Sequence, residues 1–242
     1  MKNLIIIAFV LGIAYLGKNA FDNARYALKE ITGVGATKDD FRNVSTFNGV
    51  SSYVAGDVEW KAGEQYSVQI SAPSDILPYF TTEVNGDIME IKTSERVKYQ
   101  SSVKIVVTSP ELRLIAMYGS GNFTTSSSIN RNSLKIELAG SGEIEVHNMD
   151  VEDLKAKLSG SGNIDLDGRA QKADLELSGS GNMDAEGLKA EKADIAITGS
   201  GNATCNVEKS LNANISGSGN IRYSGNPQVN VSKSGSGTVE KE

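Results

Sequence analysis

The sequence predicts an all-β protein, a β-solenoid of stacked coils, and three observations carry that expectation. Gly-Ser-Gly occurs seven times between Gly119 and Gly237, at start-to-start spacings of 21, 20, 19, 20, 18 and 18 residues. A period near 20 built on a glycine turn is the mark of a stacked repeat. Between the turns, apolar and polar residues alternate, as in Leu134, Ile136, Leu138 and again in Ala173, Leu175, Leu177, which is the pattern of a strand with one buried face. No repeat carries a helical period, which sets aside leucine-rich, ankyrin and tetratricopeptide arrays.

Each coil then reads as strand, Gly-Ser-Gly turn, shorter strand, looser turn. The tight turns begin and end with Gly119 and Gly121, Gly140 and Gly142, Gly160 and Gly162, Gly179 and Gly181, Gly199 and Gly201, Gly217 and Gly219, and Gly235 and Gly237. A corner of this kind calls for a positive φ, expected at the second glycine. The looser turn is written Asn148-Met149-Asp150, Asp167-Gly168 and Glu186-Gly187, all turn chemistry. Coils advance by roughly 4.8 Å, so about seven give a column on the order of 30 Å long. Each inward Leu or Ile contributes roughly 1.5 to 3 kcal/mol of burial.

Ahead of the repeats, Lys2 precedes an apolar run from Leu4 to Leu16, the length of a signal-peptide core and short of a full bilayer span. Lys18-Asn19-Ala20 is a poor cleavage site and no cysteine follows the run directly. Residues 1–25 are therefore expected as a signal peptide or an uncleaved apolar membrane-anchor helix, with a membrane tether through residues 4–16 in the second case. Residues 26–40, with Thr32-Gly33-Val34-Gly35-Ala36, read as a stem or linker. The folded domain is expected over 41–240, with regular repeats over 118–238. From Phe41 to Tyr118 the repeat blurs but alternation persists at 58–60, 66–70, 88–91 and 103–107, and Asn85-Gly86-Asp87 has hairpin-turn chemistry. These strands are expected as irregular coils covering one end of the stack. At the other end, Val239-Glu240-Lys241-Glu242 supplies no capping helix; Lys233, Lys241 and the terminal glutamates either solvate that strand edge or it pairs with another copy.

Phe47-Asn48-Gly49-Val50, the segment Tyr66 to Ile70, Thr108-Ser109-Pro110-Glu111-Leu112 leading into Tyr118-Gly119-Ser120-Gly121, and the serial Gly-Ser-Gly-Asn turns together resemble the bacterial putative auto-transporter adhesin head family, the GIN domain, from about Phe41 to Val239. The resemblance implies a right-handed, single-stranded β-helix of the pectin-lyase type in the cell envelope of a Gram-negative bacterium, and it implies adhesion.

Composition and motifs narrow the chemistry. A net charge of −6 and a pI near 5.0 leave no basic footprint for nucleic acid. Calcium solenoids need a carboxylate in every turn, whereas the corresponding column here is Thr124, Glu145, Asp165, Asp184, Thr204, Arg222. No cofactor site and no catalytic set is expected. His147 is the single histidine and sits at a coil corner; Cys205 is the single cysteine, in an apolar column that suits a buried thiol. Trp60 and Tyr66 are either packing or an aromatic sugar platform.

Asn122, Asn163, Asn182, Asn202 and Asn220 follow five of the tight turns, interrupted by Glu143 and ended by Thr238. Stacked amides either hydrogen-bond from coil to coil or present a polar binding strip. The chain is expected to be an exported, non-enzymatic adhesion or scaffold module of the periplasm or cell surface. Its expected partners are a glycan, a cell-surface or envelope protein, or a second copy. A membrane-tethered subunit of an envelope assembly and a carbohydrate-active enzyme of the same fold are the alternatives.

Overall fold

The computed structural model describes residues 30–99 and 102–242. The expected signal or anchor segment, with its apolar helix, lies outside the described residues. No helix among the described residues is long and apolar enough to cross a membrane.

The second half is the predicted stack, an all-β solenoid. β1 to β9 are Glu30–Gly33, Thr37–Asn43, Gly49–Ser52, Asp57–Ala62, Ser67–Pro73, Phe80–Asn85, Ile88–Thr93, Arg96–Tyr99 and Lys104–Ser109. β10 to β19 are Leu114–Gly119, Asn122–Thr125, Ile129–Gly140, Glu143–Gly160, Asn163–Gly179, Asn182–Gly199, Asn202–Gly217, Asn220–Gly225, Gln228–Gly235 and Thr238–Lys241. From β10 onward every pairing is parallel, and the first glycines of successive turns are register partners from Gly119 through Gly235.

One detail differs from the expected coil. The looser turn does not end a strand in β13 to β16; each of these runs unbroken from one tight turn to the next, bent at register shifts such as Val146/Met149 and Asp165/Gly168. Parallel neighbours turn the same corner together, so the ladder survives and a bulge absorbs the differences in length.

The tight turns also assign their glycines differently. In six of the seven it is the first glycine that has positive φ, for example Gly179 at 127°. The second is required by close approach instead: a Cβ on Gly181 would lie 2.2 Å from the Gly162 carbonyl oxygen of the coil beneath. Turn rests on turn through the backbone, with Ser180 and Gly181 both donating N–H to the Gly160 carbonyl at 3.0 and 3.2 Å.

Parity follows from that register. Leu138, Leu158, Leu177, Ile197 and Ile215 form one inward column, and Ile136, Ala156, Leu175, Ile195 and Ala213 the next, all buried. Large residues and alanines mix within the second column so that the thin core is filled. In the last coil the partner of Ile215 is Lys233 and the partner of Tyr223 is Lys241. Lys233 Nζ donates to the Gly237 carbonyl at 3.2 Å, and Lys241 Nζ to Asn226 Oδ1 at 2.6 Å. Charges at inward positions of an edge coil oppose pairing with another strand.

The first half winds out of sequence order. β3 and β4 form a coil that pairs with β10 and β11 on one side and with β7 and β9 on the other. Outside β7 and β9 the strands turn antiparallel: β6 covers β7, β5 covers β9, and β2 covers β5. The expected cover over one end is therefore two coils and an antiparallel layer. The expected hairpin joins β6 to β7, with Gly86 at φ 60°. The expected stem is corrected in part: β1 pairs with β8, and Asp75 accepts from the Val34 and Gly35 N–H groups at 3.0 and 3.1 Å, so residues 30–40 belong to the folded unit.

Gly181→Ala should lower the unfolding free energy by roughly 1–3 kcal/mol, the scale of a forced backbone distortion. Gly86→Asn, where nothing lies within 4 Å and the left-handed conformation suits Asn, should be near neutral. Equal melting midpoints for the two variants would refute the close-approach account. Separately, Lys233→Leu with Lys241→Leu should raise the mass measured by light scattering at concentrations where the parent's mass is constant. An unchanged mass would show that these lysines do not guard the edge.

Candidate functional site

Outward residues form columns along the solenoid axis, and two of them are organised enough to bind something. The first begins with the residue after each tight turn. The residue that follows it is apolar and inward, so parity directs the asparagine out. Asn182 Nδ2 donates to Asn163 Oδ1 at 3.3 Å, Asn202 to Asn182 at 3.2 Å and Asn220 to Asn202 at 3.0 Å, and Thr238 Oγ1 donates to Asn220 Oδ1 at 2.9 Å. Each linked amide keeps hydrogen-bonding capacity for a partner in solvent. Asn122 stands apart, donating instead to Asp57 Oδ1 at 3.0 Å, because Glu143 separates it from Asn163.

Two residues further along lies the column Glu59, Thr124, Glu145, Asp165, Asp184, Thr204, Arg222. Among the described residues no group of three or more His, Cys, Asp or Glu is placed to hold a metal ion. Burial pushes the Asp165 carboxyl above its ordinary range, and the Asp184 charge adds to the shift while His147 opposes it.

Where the two columns reach the earlier coils, Asp57, Glu59, Asn122, Thr124, Glu143, Glu145 and Lys104 line a groove of about 310 Å3. Sequence spacing could not have brought these together, since the coil holding Asp57 and Glu59 is neighbour to Asn122 only through the out-of-order winding. Lys104 Nζ lies 2.8 Å from Glu59, and this hydrogen bond holds the Glu59 carboxyl below its ordinary range, aided by Ser126. Glu59 is thus a charged acceptor at neutral pH, the opposite of what glycoside cleavage asks of a general acid.

The remaining sequence candidates resolve into structure. Trp60 is buried and donates from Nε1 to Ser109 Oγ at 2.9 Å, and Tyr66 packs edge-on against Phe47 with centroids 5.4 Å apart; neither is a platform. His147 lies at a corner with Nε2 3.8 Å from Glu145. The pKa of the buried Cys205 thiol is pushed up to about 12, by burial first and then by the charge of Glu242, so it is no thiolate at neutral pH.

The second organised column escaped the sequence. Tyr53 and Tyr118 are 44% and 36% exposed and stack with centroids 4.8 Å apart and planes 16° from parallel. Lys92 Nζ sits 5.0 Å over the Tyr53 ring, and Tyr118 Oη donates to Glu137 Oε2 at 3.1 Å. Tyr53 belongs to the blurred half, where no repeat signalled its register with Tyr118.

The model of the family described as putative auto-transporter adhesin, head GIN domain, matches residues 46–227. The chain belongs to this family. Its GIN domain is similar to a putative adhesin from Bacteroides fragilis, at 27% identity and a TM-score of 0.83, covering 88% of this chain and 100% of that one. A putative lipid binding protein from Parabacteroides distasonis is 26% identical with a TM-score of 0.76, again over 88% and 100%. A putative adhesin from Parabacteroides merdae, at 22% identity, a TM-score of 0.72 and 88% and 99% coverage, shares the fold. Among curated proteins nothing matches the chain.

Asp165 gives the GIN domain a defined pH response. Its folded-state pKa is raised above the ordinary carboxyl value, so the native state binds this proton more tightly than the unfolded chain and stability falls as pH rises through the window above about 4. Asp165→Asn should therefore raise the unfolding free energy at pH 7, by no more than about 0.5 kcal/mol for a surface site. The gain should vanish near pH 3. A gain that is larger in acid than at neutrality would reverse the sign and refute the assignment.

Proposed function

We propose that this chain is an exported, non-enzymatic adhesion module of the cell envelope. It meets its partner with the outward faces of a right-handed, single-stranded β-helix, and it acts at the cell surface. Right-handed winding is the expected hand for parallel strands joined by crossovers. The observation that carries the reading is the amide ladder from Asn163 to Asn220. Side chains already held in place lose little freedom on binding, so a flat face can bind without a cleft. Asn163, Asn182, Asn202 and Asn220 are the strip offered for contact, with Asn122 as an outlying member.

Two other readings have weaker support. A lipid-binding role draws on the Parabacteroides distasonis neighbour, but the inward columns here are packed with Leu, Ile and Ala side chains, and the outer faces are rich in Lys, Glu, Asp and Asn. A carbohydrate-active enzyme would need a proton donor at the groove, a role for which Glu59, held ionised by Lys104, is unsuited. A membrane-tethered subunit depends on residues 1–25.

Attachment of the purified, fluorescently labelled chain to intact bacterial and epithelial cells, read by flow cytometry, tests the reading. Saturable attachment is expected, and Asn182→Lys with Asn202→Lys should weaken it about ten-fold, the loss of roughly 1.4 kcal/mol. Absence of attachment by the parent chain refutes adhesion. Attachment that the double variant leaves intact moves the contact off the amide strip. Co-sedimentation with liposomes in place of cell attachment would favour the lipid reading.

A further inference from the structure

The tyrosine stack ends on an open face. Its column runs Lys92, Tyr53, Tyr118, Ala139, Ser159, Ser178 along the axis. The ring face of Tyr53 remote from Tyr118 is taken by Lys92, itself paired with Glu90. The next position beyond Tyr118 is Ala139, exposed and with no ring to offer, followed by Ser159 and Ser178. One more planar group would continue the stack there, at about the spacing of one coil. Ser51 and Ala116 face outward in the neighbouring column yet are buried at 5% and 1%, and the Tyr118 ring is tied down at its hydroxyl by Glu137.

The polar groups around this open position suit hydroxyls. Glu137 Oε2 already accepts from Tyr118 Oη, and Lys135 lies 2.7 Å from its other oxygen. A carboxylate bonded in this way retains acceptor capacity, and Ser159 can both donate and accept. The charges beside the stack are balanced, Lys92 by Glu90 and Lys135 by Glu137. Balanced charges favour a neutral ligand over an anion or a cation.

We propose that Tyr118, Glu137 and the Ala139–Ser159 floor form a subsite for a neutral pyranose ring, stacked by its C–H face on Tyr118 with its hydroxyls donating to Glu137. The inference deepens the adhesion reading and rests on it: the surface recognised carries a glycan, and the tyrosine column is where one sugar of it docks. The amide strip is a separate face.

Saturation-transfer NMR on the full chain with hexasaccharides of glucose, galactose, mannose and N-acetylglucosamine tests the subsite. At least one probe should receive magnetisation at its ring C–H protons when tyrosine ring protons are saturated. Tyr118→Ala should weaken that probe about ten-fold or more, the scale of one lost aromatic stack. Ala139→Arg, which fills the open position, should do the same, while Tyr118→Phe keeps the stack and most of the affinity. Melting midpoints of the Phe and Arg variants show that folding is intact. A silent panel, or binding indifferent to both Tyr118→Ala and Ala139→Arg, overturns the subsite. Cell attachment separates this from the parent reading: attachment destroyed by protease but resistant to periodate leaves adhesion standing and the sugar subsite wrong, whereas absence of attachment removes both.

Discussion

The contact between the backbones of successive Gly-Ser-Gly turns governs the rest of the molecule. A Cβ on Gly142 would lie 1.9 Å from the Gly121 carbonyl oxygen, and one on Gly219 would lie 2.2 Å from that of Gly201. Side chains would hold the coils apart at the corner; without them, each turn settles on the one beneath at the ordinary spacing of parallel strands. The first glycine adds a backbone conformation open to few other residues. One corner thus sets both the pitch of the column and the register of everything joined to it.

Register in turn fixes which residues become neighbours. Because side chains alternate with period two, pinning Gly160 to Gly179 and Gly179 to Gly199 forces Leu158, Leu177 and Ile197 into one inward column and Asn163, Asn182 and Asn202 into one outward column. A slip by one residue would exchange the two faces. The outward charges use the same register: Lys155 reaches Asp174 at 3.4 Å and Lys172 reaches Asp194 at 3.4 Å across the coil boundary. Such exposed pairs contribute little stability. Their consequence is a surface of interspersed opposite charges, with Asp165 beside Asp184 as a like-charged pair.

The regular half of the fold was legible because its signal is local and repeated. Spacing gave the coil, alternation gave the face, and counting from each turn gave the columns, down to the Thr124-to-Arg222 series. The roles of the two glycines were not legible, because positive φ and close approach both select glycine. The first half was opaque for a different reason. Its coils pair out of sequence order, so Asp57 meets Asn122 and Tyr53 meets Tyr118 across long stretches of chain, and no fixed period announces either contact. Asp75 holding Val34 and Gly35 likewise turned a Gly-rich segment that reads as a linker into part of the fold.

The two ends of the column differ in kind from its sides. An end of a parallel stack exposes a row of unpaired backbone groups together with the cut face of the core. At one end β6, β5 and β2 cover it by reversing direction, which halts further parallel addition. At the other, Lys233 and Lys241 take positions that Ile215 and Tyr223 hold one coil earlier, so a docking strand would have to desolvate two ammonium groups. The sides are different in kind: each outward column is an ordered row whose length grows with every added repeat, without any change to the core. Recognition on the sides can therefore be extended or altered rung by rung, while the glycine corner that sets the register is left untouched.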